Sequence, residues 1–335
     1  MGILAIETSC DETAAAVLEQ GVIRSNIVLS QKIHEIYGGV IPELASRFHC
    51  KHIYYIVQEA LSKAYPERTL AEQLENISAI GVTHTPGLIG SLLVGVQFAK
   101  SLALGLNKPL IGVNHLYGHV YSNFLTHKNL TYPFLCLTVS GGHTQIVLVE
   151  KELDYLILGE TIDDAAGEAF DKIGKLMGFP YPSGHLIDKY ALGGNIHKFQ
   201  FPIPKAPHFD YSFSGLKTAV LYFLKKQNPD FIEQNKADFC ASIQHSIAKI
   251  LWQKFEMVYE KYKIKNWCIA GGVSANSYLR NFFYDKAQLN QAHFFVPEWQ
   301  FCTDNAAMIA YVAELKFKHK LYSSLNLEVA AKFSI

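Results

Sequence analysis

Phe134-Leu-Cys-Leu-Thr-Val-Ser-Gly-Gly-His-Thr-Gln-Ile-Val-Leu-Val149 is the stretch from which the fold can be read. Two apolar runs, Phe134–Val139 and Gln145–Val149, flank a short loop of small and polar residues, which predicts a strand, a turn and a returning strand. Gly141 and Gly142 carry no Cβ, so their backbone N–H groups can approach a ligand closely, and phosphate is the usual anion for such loops. An ordinary hairpin turn is the alternative.

The same pattern opens the chain. Ile3–Glu7 and Ala14–Leu18 are apolar runs that predict two strands, and the polar segment Thr8–Thr13 separates them. A strand, a loop and a returning strand in each half of the chain indicate a duplicated α/β domain with a cleft between the two copies. Between the hairpins, a helical pattern at Pro42–Tyr65 alternates with an apolar run at Ile77–Val82, which favours a mainly parallel sheet with helices on its faces.

Two histidines stand four residues apart in Asn114-His-Leu-Tyr-Gly-His119, directly after the apolar run Leu110–Val113. If a helix begins there, His115 and His119 lie on one face and can hold one metal ion at a strand-to-helix edge. Two polar residues that open an exposed helix are the alternative, and the motif alone favours that alternative.

Carboxylates crowd the segment Asp163–Lys172, which predicts a helix. Asp163 and Asp164 suit its first turn, where the helix dipole favours negative charge. Asp171 lies too far along the helix for that role. It is therefore either solvated or directed into the cleft, where it would accept a hydrogen bond from a hydroxyl or an amine.

Three later segments each predict the start of a helix. Ser212–Thr218 carries a serine that fits the capping position, and Thr303 or Asp304 fits the cap of a helix that runs to Lys318. The double glycine of Gly271–Asn276 leaves room for a flat base or a ribose against the backbone.

The composition is that of a well-buried globular protein: of 335 residues, 49% are hydrophobic and 18% are charged. The formal net charge is zero, so a nucleic-acid site would have to be a local basic patch. Six scattered cysteines without a C-x-x-C pair suit a reducing cytosol. Polar residues interrupt the longest apolar segment, Leu88–Leu106, so it predicts a buried helix rather than a membrane span. No signal-peptide pattern opens the chain, and we expect a soluble, cytoplasmic protein with no membrane partner.

Several motifs, in the same order along almost the whole chain, resemble those of the tRNA N6-adenosine threonylcarbamoyltransferases (TsaD, formerly called Gcp or O-sialoglycoprotein endopeptidase). The segments that carry the resemblance are Ile6–Thr13, Tyr37–Arg47, Val139–Gln145, Asp163–Lys172, Phe213–Lys217, Gly271–Asn276 and Phe301–Asn305. That family has the actin and sugar-kinase-like (ASKHA) fold, so the resemblance implies two related α/β domains around a central nucleotide cleft. We expect an actin-like domain at residues 1–128, onto which a C-terminal helix at 303–320 packs back, and a second actin-like domain with helical insertions at 129–302.

The resemblance also implies site residues. In the family, the two histidines of H-x-x-x-H and the aspartate of C-T-D-N hold a metal, and they correspond here to His115, His119 and Asp304. One divalent ion per subunit is implied, with Fe²⁺ favoured and Zn²⁺ as the alternative. The family's substrate contacts fall on Thr138, Val139, Ser140, Gly141, Gly142, Asp171, Gly184, Asp188 and Asn276.

The implied reaction transfers a threonylcarbamoyl group from threonylcarbamoyl-AMP to N6 of the adenosine adjacent to the anticodon in tRNAs that read ANN codons, with release of AMP. The metal would act as a Lewis acid on the transferred carbonyl. The catalytic base is not identified, and Asp11 and Glu12, at the mouth of the first hairpin, are the candidates. The implied partners are tRNA, threonylcarbamoyl-AMP, a TsaB-like paralogue that forms a heterodimer, and a TsaE-like ATPase.

The sequence departs from the family pattern at Tyr117, where relatives usually carry glutamate, and at Thr85, where they commonly carry glycine. Neither change removes a metal ligand. A metalloprotease is a rival function, but Leu116 occupies the place of the glutamate in H-E-x-x-H. An ATP-driven kinase or chaperone-like switch on the same fold and a non-enzymatic scaffold are the other rivals.

Overall fold

The computed structural model describes residues 2–332 and folds them into strands and helices in alternation. The strands are β1 (Gly2–Glu7), β2 (Glu12–Glu19), β3 (Val22–Ser30), β4 (Ile77–Thr85), β5 (Leu110–Asn114), β6 (Phe134–Val139), β7 (Thr144–Val149), β8 (Tyr155–Glu160), β9 (Asn266–Ala270) and β10 (His293–Phe295). The α-helices are α1 (Ile33–Tyr37), α2 (Pro42–Ala64), α3 (Leu70–Glu75), α4 (Ile89–Gly105), α5 (His115–Tyr121), α6 (Asn123–Thr126), α7 (Ala166–Leu176), α8 (Gly184–Tyr190), α9 (Ser214–Leu224), α10 (Phe231–Tyr262), α11 (Ser277–Leu289) and α12 (Ala306–Lys318). Two short 3₁₀ turns lie at Gly272–Ala275 and Trp299–Phe301.

Two five-stranded sheets share one topology. The strand order is β3-β2-β1-β4-β5 in the first sheet and, from the corresponding edge, β8-β7-β6-β9-β10 in the second. Strand β1 pairs antiparallel with β2 and parallel with β4, just as β6 pairs antiparallel with β7 and parallel with β9. The predicted duplication of an α/β domain is therefore confirmed. The sheets are mixed rather than mainly parallel, because each hairpin and its third strand contribute antiparallel pairings.

The chain divides into two compact units. The first unit consists of Met1–Lys128 and Thr303–Ile335, and the second unit of Asn129–Cys302. Helix α12 belongs to the first unit, where it packs on β1 and β2. A glycine makes this packing close, since a Cβ added at Gly81 of β4 would lie 2.8 Å from the Cβ of Ala313. Each unit has its own apolar core.

Local sequence explains the main elements of the first unit. Pro42 occupies the first turn of α2, where its missing N–H would have no helical partner in any case. Strand β1 is buried along its whole length, because α4 and α12 both pack against it. Helix α4 coincides with the predicted apolar helix, and among residues 2–332 no helix is both long and apolar enough to cross a membrane.

The predicted start of the acidic helix is wrong. Helix α7 begins at Ala166, so Asp163 precedes it. The Asp163 carboxylate instead accepts hydrogen bonds from the backbone N–H groups of Phe213 and Ser214 and from the hydroxyls of Ser212 and Ser214. The carboxylate thereby caps α9. A serine was expected to cap this helix, but the capping position is occupied by Phe213, whose side chain makes no capping hydrogen bond. An aspartate from a distant segment replaces the local serine because a carboxylate can accept several N–H and O–H groups at once.

The predicted cap of the last helix is also wrong. The capping residue of α12 is Asn305, whose Oδ1 accepts a hydrogen bond from the N–H of Met308 at 3.1 Å. An asparagine at this position satisfies one of the helix's unpaired N–H groups. Neither Thr303 nor Asp304 caps the helix, and the carboxylate of Asp304 is left to other contacts.

Candidate metal centre

The first unit presents polar side chains where three neighbouring parallel strands end. Strand β1 ends at Glu7, β4 at Thr85 and β5 at Asn114. The Oδ1 atom of Asn114 accepts a hydrogen bond from the N–H of Leu116 at 2.8 Å and so caps helix α5. The carboxyl ends of parallel strands are the usual place for ligands in α/β folds. The helix predicted to start at His115 is present at this edge.

Two side chains of helix α5 and one side chain that lies 185 residues later in the sequence meet here. Nε2 of His115 lies 3.4 Å and Nε2 of His119 lies 3.1 Å from Oδ1 of Asp304. One ligand atom from each of the three residues lies within 4.8 Å of the others. Two imidazole nitrogens and one carboxylate oxygen are a donor set that iron and zinc both accept, so the residues present fit a divalent ion.

A glycine inside the H-x-x-x-H segment allows Asp304 to reach the histidines. A Cβ added at Gly118 would lie 2.9 Å from Cδ1 of Ile309 and 3.0 Å from Cγ of Met308. Because Gly118 has no side chain, α5 packs closely on α12. The start of α12, with Asp304 two residues before it, is thereby held beside the two histidines.

Charge is unevenly distributed among the three residues. Burial disfavours the imidazolium of His115, but the carboxylates of Asp304 and Glu7 outweigh burial and raise the pKa of His115 well above its usual value. Burial lowers the pKa of His119. The two histidines outweigh the effect of burial on Asp304 and hold the pKa of its carboxyl well below the usual range. A carboxylate and a neutral imidazole are the forms that bind metals, so Asp304 and His119 are in the binding form, whereas His115 would release a proton when an ion binds.

Glu7 is a functional candidate that the sequence reasoning missed. Its side chain is fully buried, and Oε2 lies 3.0 Å from Nδ1 of His115. The backbone N–H of Ser9 and the hydroxyl of Thr83 donate to the same carboxylate. The available signal was a single charged residue at the end of an otherwise apolar strand. Glu7 lies in the motif Ile6–Thr13, but the resemblance assigned no role to it.

The two candidate bases lie on the loop that follows β1. Asp11 precedes β2 and Glu12 is its first residue, and both are half-buried. Burial, together with the negative charges of Asp304 and Asp11, raises the pKa of the Glu12 carboxyl well above its usual value. A carboxylate with a raised pKa is a better proton acceptor than an ordinary surface carboxylate.

The predicted phosphate loop belongs to the second unit. Thr138 and Val139 are buried at the end of β6, whereas Gly141 and Gly142 are exposed. The N–H of Ser140 donates to the carbonyl of His143 at 2.8 Å, and the Ser140 hydroxyl accepts from the N–H of His143. These bonds close a tight turn between β6 and β7.

The remaining predicted substrate residues hold helix starts within the second unit. Asp171 accepts a hydrogen bond from the N–H of Ser183 at 2.7 Å, just before α8 begins at Gly184. Burial raises the pKa of the Asp171 carboxyl, which opposes the reading of a merely solvated side chain. Asp188 accepts from the N–H and the hydroxyl of Ser277, each at 2.9 Å.

Asn276 sits beside this contact. Its Oδ1 caps α11 by accepting from the N–H of Leu279 at 2.8 Å. The turn that leads to Asn276 lies against β6, since a Cβ added at Gly271 would lie 2.4 Å from the carbonyl oxygen of Val139. The second unit thus brings Asp188 together with Asn276 and the β6 end together with the double-glycine turn, while the metal candidates all belong to the first unit.

Solved structures with a similar fold are distant in sequence. HypF from T. kodakarensis superposes with a TM-score of 0.67 at 14% identity over 98% of this chain and 50% of that chain. An activator of 2-hydroxyisocaproyl-CoA dehydratase from Clostridium difficile gives a TM-score of 0.53 at 14% identity, covering 97% of this chain and 99% of that chain. The chain thus spans about half the length of HypF. These similarities show the fold alone, which is the duplicated actin and sugar-kinase-like (ASKHA) α/β architecture.

Sequence comparison is more specific. A family model for tRNA N6-adenosine threonylcarbamoyltransferase (TsaD) matches residues 22–311. The protein of that name from Cytophaga hutchinsonii is 50% identical to this chain, over 99% of this chain and 96% of the relative. The one from Riemerella anatipestifer is 48% identical, over 99% of this chain and 98% of the relative. A relative from Thermosipho africanus is 44% identical over the full length of both chains. The chain is therefore an enzyme that belongs to the tRNA N6-adenosine threonylcarbamoyltransferase family.

Proposed function

We propose that this enzyme transfers the threonylcarbamoyl group from threonylcarbamoyl-AMP to N6 of the adenosine adjacent to the anticodon in tRNAs that read ANN codons, and that it releases AMP. Family membership gives the reaction class. The observation that carries the proposal is the convergence of His115, His119 and Asp304 at the ends of the first sheet's parallel strands. A transferase that acts on an activated carbonyl needs a group that polarises the carbonyl oxygen, and these residues are suited to hold it.

In this proposal, His115, His119 and Asp304 hold one divalent ion, with Fe²⁺ favoured and Zn²⁺ as the alternative. Such an ion, when bound, polarises a carbonyl oxygen as a Lewis acid. The protein's own contribution is to fix the three ligands on packed elements, since the start of α5 and the start of α12 are held together through Gly118. Preorganised ligands avoid the cost of reorganisation during the reaction.

The adenylate side of the substrate is assigned to the second unit. We assign the phosphate to the loop Ser140–Gly142, which follows the buried Thr138 and Val139 of β6. Its donors are the backbone N–H groups of Gly141 and Gly142, because the N–H of Ser140 already donates to His143. The exposed glycines support this assignment, because no side chain blocks their N–H groups. The nucleoside is assigned to four residues, which are Asp171 on α7, Gly184 and Asp188 on α8, and Asn276 at the start of α11.

The chemical step forms one bond and breaks another. The N6 amine attacks the carbonyl carbon of the threonylcarbamoyl group, the bond from that carbon to the phosphate oxygen breaks, and AMP leaves with the electron pair. N6 then loses one proton. Asp11 and Glu12, on the loop that follows β1, are the candidate acceptors of this proton.

The assembly and the location are also proposed. We assign the two actin-like domains to residues 1–128 with the helix at 303–320, and to residues 129–302. The family implies a TsaB-like paralogue as a heterodimer partner, a TsaE-like ATPase and tRNA as partners in the cytoplasm. No contact of the described residues identifies these partners.

The test is reconstitution of transfer on tRNA with pre-made threonylcarbamoyl-AMP and the partner proteins, with bound metal measured in the same samples. We expect His115→Ala and Asp304→Ala to lose metal and modified adenosine together. His293→Ala, which changes an exposed histidine on β10, is the matched control and should lose neither. Metal loss with transfer intact would make the ion structural, and a wild-type enzyme that cleaves a peptide but transfers nothing would refute the proposed function.

A further inference from the structure

We propose that Glu7 is a positioning residue of the metal centre. Its carboxylate accepts a hydrogen bond from the Nδ1–H of His115 and so directs Nε2 of the same ring to the metal. This inference rests on the metal site proposed above and deepens it by adding a residue that is not a ligand. The carboxylate acts through His115 and does not touch the substrate.

The two nitrogens of the His115 ring face two different carboxylates. Nδ1 lies 3.0 Å from Oε2 of Glu7 and 3.2 Å from Oγ of Ser9, and Nε2 lies 3.4 Å from Oδ1 of Asp304. The carboxylate can only accept at Nδ1, whereas the Ser9 hydroxyl can donate or accept, so Glu7 decides which nitrogen carries the proton. A neutral imidazole has one N–H donor and one lone pair, so an acceptor at Nδ1 selects the tautomer that leaves the lone pair on Nε2. Metal-binding histidines usually donate their second ring N–H to a carboxylate or a carbonyl in this way.

Glu7 is itself held in place from two sides. Its side chain is fully buried, the N–H of Ser9 donates to Oε1, and the hydroxyl of Thr83 on β4 donates to Oε2. A buried carboxylate requires such donors, because an unpaired charge in the interior is costly. The donors fix both oxygens, so the carboxylate cannot turn away from His115 without breaking another hydrogen bond.

The second histidine lacks an equivalent support. Within residues 2–332, Nδ1 of His119 is buried and has no hydrogen-bond partner. His119 is oriented instead by the packing of α5 on α12 through Gly118. The effect of Glu7 should therefore fall on one ligand, which predicts weakened metal binding rather than its complete loss.

Glu7→Gln is the informative substitution. The amide has the shape of the carboxylate but only one oxygen, while three donors from Ser9, Thr83 and His115 point at this position. If the amide oxygen faces Ser9, the NH₂ group faces His115 and favours the tautomer with the proton on Nε2, which opposes metal binding. If the amide is reversed, its NH₂ group opposes the N–H of Ser9.

The experiment measures Zn²⁺ affinity of the full chain by competition with a chromophoric chelator, and the absorption spectrum of the Co²⁺-loaded protein. We expect Glu7→Gln to bind Zn²⁺ about 10–100-fold more weakly and to shift the Co²⁺ spectrum. Thr83→Val, which removes one support of Glu7, should weaken binding less. Tyr65→Phe removes a different hydrogen bond to a glutamate of the first unit, the one to Glu19, and should leave the affinity unchanged.

The outcomes separate this inference from the metal site on which it rests. Wild-type affinity and an unshifted Co²⁺ spectrum in Glu7→Gln, with binding abolished in His115→Ala, would overturn the role of Glu7 alone. Equal affinity in wild type and His115→Ala would overturn the metal site itself. Thermal unfolding without metal checks that Glu7→Gln is folded, and if it is not, Thr83→Val decides: weaker binding supports the inference and unchanged binding overturns it.

Discussion

Gly167 on helix α7 fixes the position of the predicted phosphate loop, and its replacement by alanine should disturb both stability and nucleotide binding. The N–H of Gly167 donates to the carbonyl oxygen of Ser140 at 3.2 Å. A Cβ added at Gly167 would lie 2.6 Å from that oxygen, 2.8 Å from Cα of Gly141 and 2.9 Å from its nitrogen. All three atoms are backbone, so no flexible side chain can move aside.

The magnitude follows from these distances. Ordinary contacts begin near 3.4 Å, so the loop has to move by about 0.8 Å, the difference between 3.4 and 2.6 Å. Overpacking of this kind costs roughly 1–3 kcal/mol, and the better helix propensity of alanine returns up to about 1 kcal/mol. The two effects leave a net loss of roughly 0–3 kcal/mol, centred near 1.5 kcal/mol, and the central value lowers the Tm of a unit of this size by about 3–6 °C.

The assay combines thermal unfolding with calorimetric titration of AMP. Gly141→Ala and Gly142→Ala are the matched variants, because no atom lies within 4 Å of an added Cβ at either position and neither residue has a positive φ. Their free energies of unfolding should stay within about 0.5 kcal/mol of the wild-type value, so their Tm should change little. They should still bind AMP more weakly, since a Cβ obstructs the approach of a phosphate. Wild-type Tm and wild-type AMP affinity in Gly167→Ala would refute the reasoning.

Three further predictions concern helix caps and a buried histidine. Asn305→Ala should lower the free energy of unfolding by about 1 kcal/mol, because it removes the cap of α12. It should also weaken metal binding at the adjacent Asp304, and an unchanged chelator titration would contradict this prediction. Asp163→Ala should lower the free energy of unfolding, measured with urea, by about 1–2 kcal/mol, because it removes the cap of α9. Wild-type stability in this variant would show that the cap is dispensable. Burial lowers the pKa of His245 to about 4, so the unfolded chain binds a proton that the folded chain does not between pH 6.5 and 4. Stability should therefore fall as pH drops through this window, by up to about 3 kcal/mol, and His245→Phe should reduce the fall; the same pH dependence in the variant would contradict the assignment.

Local patterns predicted the elements whose formation depends on local sequence. The two hairpins were found because apolar runs flank loops of small residues, and α4 was found from its long apolar segment. The start of α7 was misplaced because acidic residues suit any helix start. The partners that actually hold Asp163 lie about fifty residues later in the chain, and no local rule reveals them.

The same limit applied to the candidate metal centre. Helical spacing placed His115 and His119 on one face, and the helix is present. Asp304 is 185 residues from His119, so spacing alone could not join them, and it also fitted a capping role that Asn305 takes instead. Only the resemblance to a family predicted that Asp304 belongs with the histidines. Glu7 stayed unassigned because its partners, Thr83 and His115, become neighbours only when three strands align in a sheet.

The proposed metal site and the proposed phosphate loop lie at equivalent places in the two sheets. Strands β1 and β6 occupy the same position in their sheets, yet β1 ends in the buried carboxylate of Glu7, whereas β6 leads into the bare glycines 141 and 142. Side-chain oxygens and nitrogens are the ligands of a cation, and unobstructed backbone N–H groups are the ligands of an anion. The two proposed sites therefore differ because the residues at the ends of equivalent strands differ: side-chain ligands gather beside β1, and backbone without side chains follows β6.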